Sequence, residues 1–511
     1  MTRTQFHDQD DRDKLVGVPS DRITRAELVR RAGVGAVGLA AAGAGAYALS
    51  RLVHDRAAAK VVVRPETGTA HRFRSRPDLR PPVISVLEKS ATTGHGYLLL
   101  APSSGPGQRG PLIVDDAGNV AWFRPTKKTA VNLRAALYKG KPVLTWWEGT
   151  LDHQGLGYGE HVIVDSSYRE IARFPAGRHR GGDLHEFVLT PSGTALVTAW
   201  AKVARNLLGR GGRRRHTVVD GIAQEIEIPS ARVLFEWRSI DHVALDETQV
   251  GVAPQFDYFH INSIDLAPDG DLIVSARNTW AVYKISRDTG EIVWRLGGKK
   301  SDFALAPGAK FAWQHDARMH GDGSTISLFD NGAAPAVEPQ SRGLVIRLDD
   351  AQRQATLVQT YIHHPPLLAH YMGSMQVLPN GNAVVGWGSE PYITEFAQDG
   401  SIIFDARLPR AGQNYRAVRM PWVGRPISRP RLASARLDGH RRLYASWNGA
   451  TELAKWHVRT GTRADKLAGA ATVPANGFET AVELRDRAAY AAVTALDRSG
   501  RALATSPTIR L

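Results

Sequence analysis

Asp271-Leu-Ile-Val-Ser-Ala276, Trp280-Ala-Val-Tyr-Lys-Ile285 and, past the Asp288-Thr-Gly290 turn, Glu291-Ile-Val-Trp-Arg-Leu296 are three consecutive β-rich runs. Each is too short for a stable helix and rich in β-branched or aromatic residues, which fit a pleated, half-buried surface. Gly, Asp and Pro bound them, residues that supply the φ values of tight turns, so the runs should fold back on one another as an antiparallel meander. The same punctuation recurs at Asp115-Asp-Ala-Gly118, Pro191-Ser-Gly193, Pro268-Asp-Gly270, Gly321-Asp-Gly323, Pro379-Asn-Gly381 and Gln398-Asp-Gly400. Three or four strands repeated about every 50 to 80 residues predict propeller blades, about six of them over residues 65–420. A pair of β-sandwiches or one irregular β domain is the competing arrangement. Long amphipathic helical patterns are missing, which argues against α/β folds.

The chain has 511 residues, no cysteine, and a formal charge of +15 from 65 basic and 50 acidic residues. Without cysteine there are no disulfides, thiolate zinc sites, iron–sulfur clusters or Cys nucleophiles. The positive balance raises the question of nucleic acid, but most of the excess is scattered arginine. Its one dense run, Arg210-Gly-Gly-Arg213-Arg214-Arg215-His216, reads as a solvated loop with no nucleic-acid-binding signature beside it. No nucleic-acid partner is therefore expected. Basic residues near a pocket would instead concentrate small anions.

Residues 1–60 are organised differently. Ser20-Asp-Arg-Ile-Thr-Arg-Ala-Glu-Leu-Val-Arg30-Arg31 precedes an uncharged Ala/Gly-rich run over 32–49, then Ser50-Arg51. Basic flank, apolar stretch and small-residue sites such as Ala44-Gly45-Ala46 form the three-part pattern of an export signal, and the adjacent arginines resemble a twin-arginine signal. The alternative is an uncleaved membrane anchor. Either places the body outside the cytoplasm, secreted or at a membrane.

Past the Pro- and Arg-rich stretch at Pro421-Trp422-Val-Gly-Arg-Pro426, residues 425–511 carry short apolar runs, including Leu443-Tyr-Ala-Ser-Trp447, Ala454-Lys-Trp456-His-Val and Ala488-Ala-Tyr490-Ala-Ala-Val-Thr-Ala-Leu496. A tryptophan on an early strand and a tyrosine on a late one resemble the core of a fibronectin type III sandwich. The organisation expected is thus all-β: an N-terminal signal or anchor over 1–60, a roughly six-bladed β-propeller over 65–424 and a small fibronectin type III-like β-sandwich over 425–511.

Three propeller segments hold candidate chemistry: Asp257-Tyr-Phe-His260-Ile-Asn-Ser263, Trp313-Gln-His315-Asp-Ala-Arg318 ahead of Ser327-Leu-Phe-Asp330-Asn331-Gly332, and His363-His364-Pro-Pro-Leu-Leu-Ala-His370-Tyr-Met-Gly-Ser374. Residues entering the innermost strand of successive blades converge on the axis, which would bring His260, His315 and His370 together. Three imidazoles with Arg318 and Asn331 suit an anion, since guanidinium binds charged oxygens in a fork and histidine can act as nucleophile or exchange protons near neutral pH. His185, beside Glu186, is either a further channel residue or a salt-bridged structural one. His363 and His364 read as turn formers, and Trp146, Trp147 and Glu148 as a strand end whose rings pack in the core or stack on an aryl group.

Together, Asp183-Leu-His185-Glu186-Phe, Asp257-Tyr-Phe-His260-Ile-Asn-Ser-Ile-Asp265, Gln314-His315-Asp-Ala-Arg318, Phe329-Asp-Asn331-Gly332, Leu378-Pro-Asn-Gly-Asn382 and Gly386-Trp387-Gly388 resemble the arylsulfotransferase family of β-propeller proteins. The similarity covers most of residues 70–425, and Ser446-Trp-Asn448-Gly-Ala-Thr451 is similar to the end of the family's longer members. The resemblance implies transfer of a sulfuryl group from an anionic aryl sulfate to a phenolic acceptor, through a sulfated histidine, without a nucleotide donor and without a cofactor or metal. The lack of a Walker-type phosphate loop agrees with the missing nucleotide. Carried over by position, His260 and His315 match the family's channel histidines, Arg318 and Asn331 would bind sulfate oxygens, and His370 would be the nucleophile, with His315 exchanging the proton. The characterised members carry a disulfide, from which this cysteine-free chain departs.

Three other readings compete. Asp288-Thr-Gly-Glu-Ile-Val-Trp294 resembles the repeat of quinone-cofactor dehydrogenases, in a single copy. A non-catalytic surface propeller could bind a ligand or cell-wall polymer. Three neutral imidazoles could also hold zinc or copper.

Overall fold

A computed structural model describes residues 59–62, 68–484 and 488–511. The segment expected to be an export signal or anchor lies outside them. Six sheets, each built on four antiparallel strands, follow one another around a ring and form the blades of a propeller. Blade 1 is Tyr97–Leu100, Leu112–Val114 and Val120–Phe123, and blade 2 is Thr129–Tyr138, Lys141–Leu151, Gly157–Asp165 and Glu170–Phe174. Blade 3 is Phe187–Leu189, Ala195–Arg205, His216–Ile226 and Val233–Arg238. Blade 4 is Ile261–Leu266, Leu272–Ala276, Ala281–Ile285 and Ile292–Gly297, so it contains all three runs of the opening meander. Blade 5 is His315–Met319, Thr325–Asp330, Arg342–Asp349 and Gln354–Tyr361, and blade 6 is Ser374–Val377, Ala383–Gly386, Tyr392–Phe396 and Ile402–Arg407.

The ring closes by exchange of strands. Val418–Met420, from the far end of the propeller sequence, is the innermost strand of blade 1, with Leu98 opposite Arg419, while Ser85–Lys89 adds an outer strand to blade 6. Each blade must bury both faces against its neighbours, because a four-stranded sheet alone leaves apolar surface in water. Leu344 and Ile346 of blade 5 thus meet Val282, Trp294 and Leu296 of blade 4 in one cluster. The Gly-centred turns join the first and second strands of blades 3 to 6, or the third and fourth strands of blades 1 and 6, at one end of the ring. In Ala267-Pro-Asp-Gly270 the Gly270 amide closes on Ala267 O at 2.9 Å with φ +93°, a conformation open to glycine at little cost.

Two further sheets pack face to face beyond the propeller. One consists of Arg431–Leu437, His440–Ser446 and Glu479–Leu484, with Ala59–Val62 paired to the last. The other consists of Lys455–Arg463, Lys466–Pro474, Tyr490–Leu496 and Ala502–Thr505, with Ile509–Arg510 paired to Tyr490–Leu496. Their core is built on Trp456, fully buried among Leu443, Val458, Val482 and Val493, with its indole N–H on Thr480 Oγ1 at 3.1 Å. The sandwich is fastened to blade 1 by Asn448, which accepts from Phe123 N and donates to Phe123 O, both at 2.9 Å.

On the propeller axis lies a buried ion cluster. Glu186 of the segment entering blade 3 accepts from Arg416 Nη1 at 2.7 Å with one oxygen and from Arg318 Nη2 at 2.6 Å with the other. Asp316 takes Arg318 Nη2 at 2.5 Å, Arg416 Nε at 3.1 Å and Arg134 Nη2 at 3.5 Å. Remaining donors go to blade 4 backbone, Arg416 to Asn262 O and Arg318 to Ile264 O, and the second Asp316 oxygen takes the Met375 amide of blade 6. Burial opposes ionisation of Glu186, yet Arg318, Arg416 and Arg134 outweigh it and hold the carboxyl at about 2. Removing one partner of such a cluster leaves charges buried and unmatched, at a cost of about 3–5 kcal/mol, whereas the exposed Arg425–Glu452 pair is screened by water and contributes little. Glu186→Gln should therefore lose several kcal/mol of unfolding free energy in denaturant titrations while Arg425→Ala stays near wild type; equal, small losses would show that the cluster does not stitch the ring.

Candidate active site

Above the ion cluster, a cavity of about 650 Å³ opens at the end of the ring opposite the Gly-centred turns. Its wall includes His185, His260 and His315, one from the segment entering each of blades 3, 4 and 5. The rings of His185 and His260 meet edge to face at 4.9 Å between centroids, and Tyr415 packs against His185 at 5.7 Å and His315 at 6.4 Å. Tyr415 is buried on the axis and its hydroxyl donates to Asn262 O at 3.2 Å.

Each imidazole is pinned through Nδ1. Asp183 Oδ2 lies 2.6 Å from His185 Nδ1, and Asp257 Oδ2 lies 2.5 Å from His260 Nδ1. His315 Nδ1 lies 2.7 Å from Asn331 Oδ1. The amide orientation of Asn331 is fixed independently, since its Nδ2 donates to Ala369 O and Met372 O, both at 2.9 Å. Nδ1–H is therefore the donor in all three rings, and Nε2 carries the lone pair that a nucleophile or base needs.

The partners differ among the three. His185 and His260 sit on carboxylates. Asp183 is fully buried, which alone would raise its carboxyl, but His185, the Gly157 amide and the Thr198 hydroxyl hold it below the usual carboxylate range. His315 faces an amide instead, and burial, followed by the positive charge of Arg277, pushes it well below its ordinary value. His315 is thus neutral at physiological pH.

Arg277, just past the second strand of blade 4, supplies the positive charge on the cavity wall. Its guanidinium lies over the Trp313 ring at 4.7 Å, donates to Asn278 Oδ1 and His370 O, and has no carboxylate within ion-pair reach among the described residues. Burial lowers it to about 10, so it stays protonated. Backbone strain gathers here too: His260, Trp313 and Asp316 have φ of 55°, 58° and 57°, in the left-handed region that non-glycine residues avoid.

Two expected site residues stand elsewhere. Arg318 is absorbed in the axial ion cluster and borders a separate cavity of about 300 Å³ at the opposite end of the ring, with Arg134, His320 and Gln376. The innermost strand of blade 5 runs along the axis, so three residues beyond His315 the chain is about 10 Å deeper. His370 is exposed, and the cavity wall beside it is formed by Tyr371 and Met372. Only its backbone participates, as acceptor for Arg277 and donor to Ser389 Oγ. The cause is local: blade 6 starts at Ser374, and Met372 and Gly373, with φ of 62° and 109°, turn the preceding segment across the mouth rather than along the axis. Asn331 is present but orients His315 and the 369–372 segment, with both amide groups occupied by protein. Trp146 and Trp147 are buried, the latter donating to Gly182 O, and His363 packs against Trp387 and Tyr392. Among the described residues, no group of three or more His, Cys, Asp or Glu is disposed to hold a metal ion.

Asp183, Asp257, Arg277 and Tyr415 were not picked out from the sequence. The two aspartates carried a signal, each standing two or three residues before a candidate histidine. Arg277 and Tyr415 carried none, because they reach the cavity from segments without a motif.

A histidine-lined pocket on the axis of a six-bladed propeller defines the class of protein. Residues 134–408 match the Arylsulfotransferase (ASST) family, and the chain belongs to it. An arylsulfotransferase-type function follows in general terms, with an aryl sulfate donor and a phenolic acceptor. No curated protein matches the chain. Similar solved structures include a Bacteroides caccae protein of unknown function, 12% identical, covering 63% of this chain and 98% of its own, TM-score 0.39. Others are a catalytically inactive virginiamycin B lyase from Staphylococcus aureus with quinupristin (10% identical, 78% and 99% covered, TM-score 0.33) and Kuenenia stuttgartiensis hydrazine synthase (14%, 61% and 80%, TM-score 0.31).

Protonation of the buried imidazoles should govern acid stability. His161, buried between Phe174 and Phe187, is pushed by burial down to about 3, and His315 is also depressed. In the unfolded chain both titrate near 6.5. Their contribution is complete above that pH and falls as pH drops below it, by about 1.4 kcal/mol per pH unit for each. Denaturation between about pH 6.5 and pH 5 should show this slope, and His161→Phe should flatten it by about half; an unchanged slope in His161→Phe would contradict the assignment.

Proposed function

We propose that the protein transfers a sulfuryl group from an aryl sulfate ester to a phenol through a sulfated His260, without a nucleotide donor. The observation that carries this reading is the pinning of three imidazoles by Nδ1, with Nε2 left for chemistry. His260 is favoured as nucleophile because the Asp257 carboxylate holds its Nδ1–H and leaves Nε2 to react, and because it is the least buried of the three, 11% exposed against 5% for His185.

In the first half-reaction His260 Nε2 attacks sulfur, an N–S bond forms, and the S–O bond to the aryl group breaks with its electron pair leaving on the phenolate oxygen. Arg277 binds sulfate oxygens, whose negative charge must be held through the transition state. His185, as the imidazolium matched to Asp183, gives the phenolate its proton from Nε2. In the second half-reaction the neutral His185 takes the proton of the acceptor phenol, whose oxygen attacks the sulfur and releases His260. His315, held neutral, suits a hydrogen-bond acceptor toward the phenolic hydroxyl better than the proton donor its sequence position suggested. The extracytoplasmic setting we infer rests on the signal-like pattern of residues 20–51.

Purified protein given p-nitrophenyl sulfate and a phenol, with no nucleotide, should release nitrophenolate. His260→Ala should lower kcat by about a thousandfold or more, and His185→Ala by about 10²–10⁴ with slow-leaving phenols. Arg277→Ala should lower kcat/KM, and His370→Ala should leave turnover essentially intact. Loss of turnover in His370→Ala with His260→Ala unaffected would reverse the assignment.

A further inference from the structure

Two hairpins rise beside the cavity mouth, and one is far longer than its blade requires. In blade 3, Ala195–Arg205 pairs with His216–Ile226 along its whole length, whereas the flanking strands reach only Val197 on one side and Ile222 on the other. The free portion stands on the mouth side. His216 Nε2 binds Ala253 O at 2.7 Å, Thr217 and Val218 pair with Gln255 and Phe256, and Ala253, Gln255 and Phe256 line the cavity. Trp200 braces it against the blade 2 hairpin, edge to face with Tyr158 at 4.5 Å and donating to Gly157 O.

This projection carries Lys202, Arg205, Arg210, Arg213, Arg214 and Arg215, all exposed. The one carboxylate within ion-pair reach among the described residues is Asp246, 3.9 Å from Arg210. Between the cations, Leu207 is buried and pins the tip while Leu208 is 57% exposed. Leu151 and Tyr158 of the blade 2 hairpin and Tyr371 at the mouth are also large apolar or aromatic side chains left 43–50% exposed. Cations alone would suit any polyanion. Cations interspersed with exposed leucine and tyrosine on one rim suit an anionic lipid surface, where the charges meet headgroups and the apolar side chains enter the acyl boundary. The uncharged apolar run over 32–49, preceded by basic residues, is a second feature of this chain suited to a bilayer.

We propose that the blade 3 hairpin docks the propeller, cavity mouth first, onto a membrane rich in anionic phospholipid. The absence of cysteine gives a clean test: Leu208→Cys in the full chain takes a single environment-sensitive fluorophore, with Leu137→Cys, at the opposite end of the ring and 67% exposed, as control. With phosphatidylglycerol-containing vesicles the label at 208 should brighten and shift to the blue, lose the shift at high salt, and stay dark with phosphatidylcholine alone, while 137 does not respond. Adding Arg213→Gln, Arg214→Gln and Arg215→Gln should raise the lipid concentration for half-maximal signal at least about tenfold, given about fivefold per cation. Equal responses at 208 and 137, equal responses to both lipids, or the same shift with soluble polyphosphate would overturn the proposal.

Discussion

Glu186 and Asp316, fully buried where the six blades meet, each divide their oxygens between partners from different blades, and the arrangement of the propeller depends on that division. A ring of sheets packed only by apolar faces has no inherent register at its centre, because apolar contact is non-directional. Guanidinium and carboxylate are directional. Arg416, in the segment leading to the closing strand, reaches blades 3, 4 and 5 at once, so strand exchange and axial register are set by the same residue. The charges balance locally, Arg134, Arg318 and Arg416 against Glu186, Asp316 and the nearby Asp265, which makes burial of so many ions tolerable.

The cluster also divides the axis. On one side is the histidine cavity, on the other a smaller polar cavity, and the guanidiniums between them are committed to carboxylates. That leaves Arg277, stacked on Trp313, as the guanidinium on the wall of the histidine cavity. The aspartates under His185 and His260 and the amide under His315 then give three chemically similar rings different partners. His315 is held neutral by burial and the charge of Arg277.

The blades were legible because their signals are local. The runs in 271–296 and the Pro-Asp-Gly and Pro-Asn-Gly turns specify strand and turn within a few residues, and closure around a ring needs only that the unit repeat. His260 and His315 were legible for the same reason, each entering an innermost strand at an equivalent point. Arg318 was misplaced because its neighbour His315 does face the cavity, and sequence proximity hides how far an extended strand travels in three residues. His370 was misplaced because spacing cannot show that the chain turns at Met372 and Gly373 before blade 6 begins. Arg277 and Tyr415 become site residues through contacts with Trp313, His185 and His315, long-range relations that no local pattern encodes.

The central claim is that one of these imidazoles, His260, becomes covalently sulfated. Brief exposure of the protein to an aryl sulfate without acceptor, followed by mild proteolysis at alkaline pH and peptide mass spectrometry, measures it directly. The account predicts one added sulfuryl group on the peptide holding His260, absent in His260→Ala and lost when a phenol is added. A sulfuryl group on a different histidine, or turnover with no protein-bound sulfuryl group at any time, would contradict it.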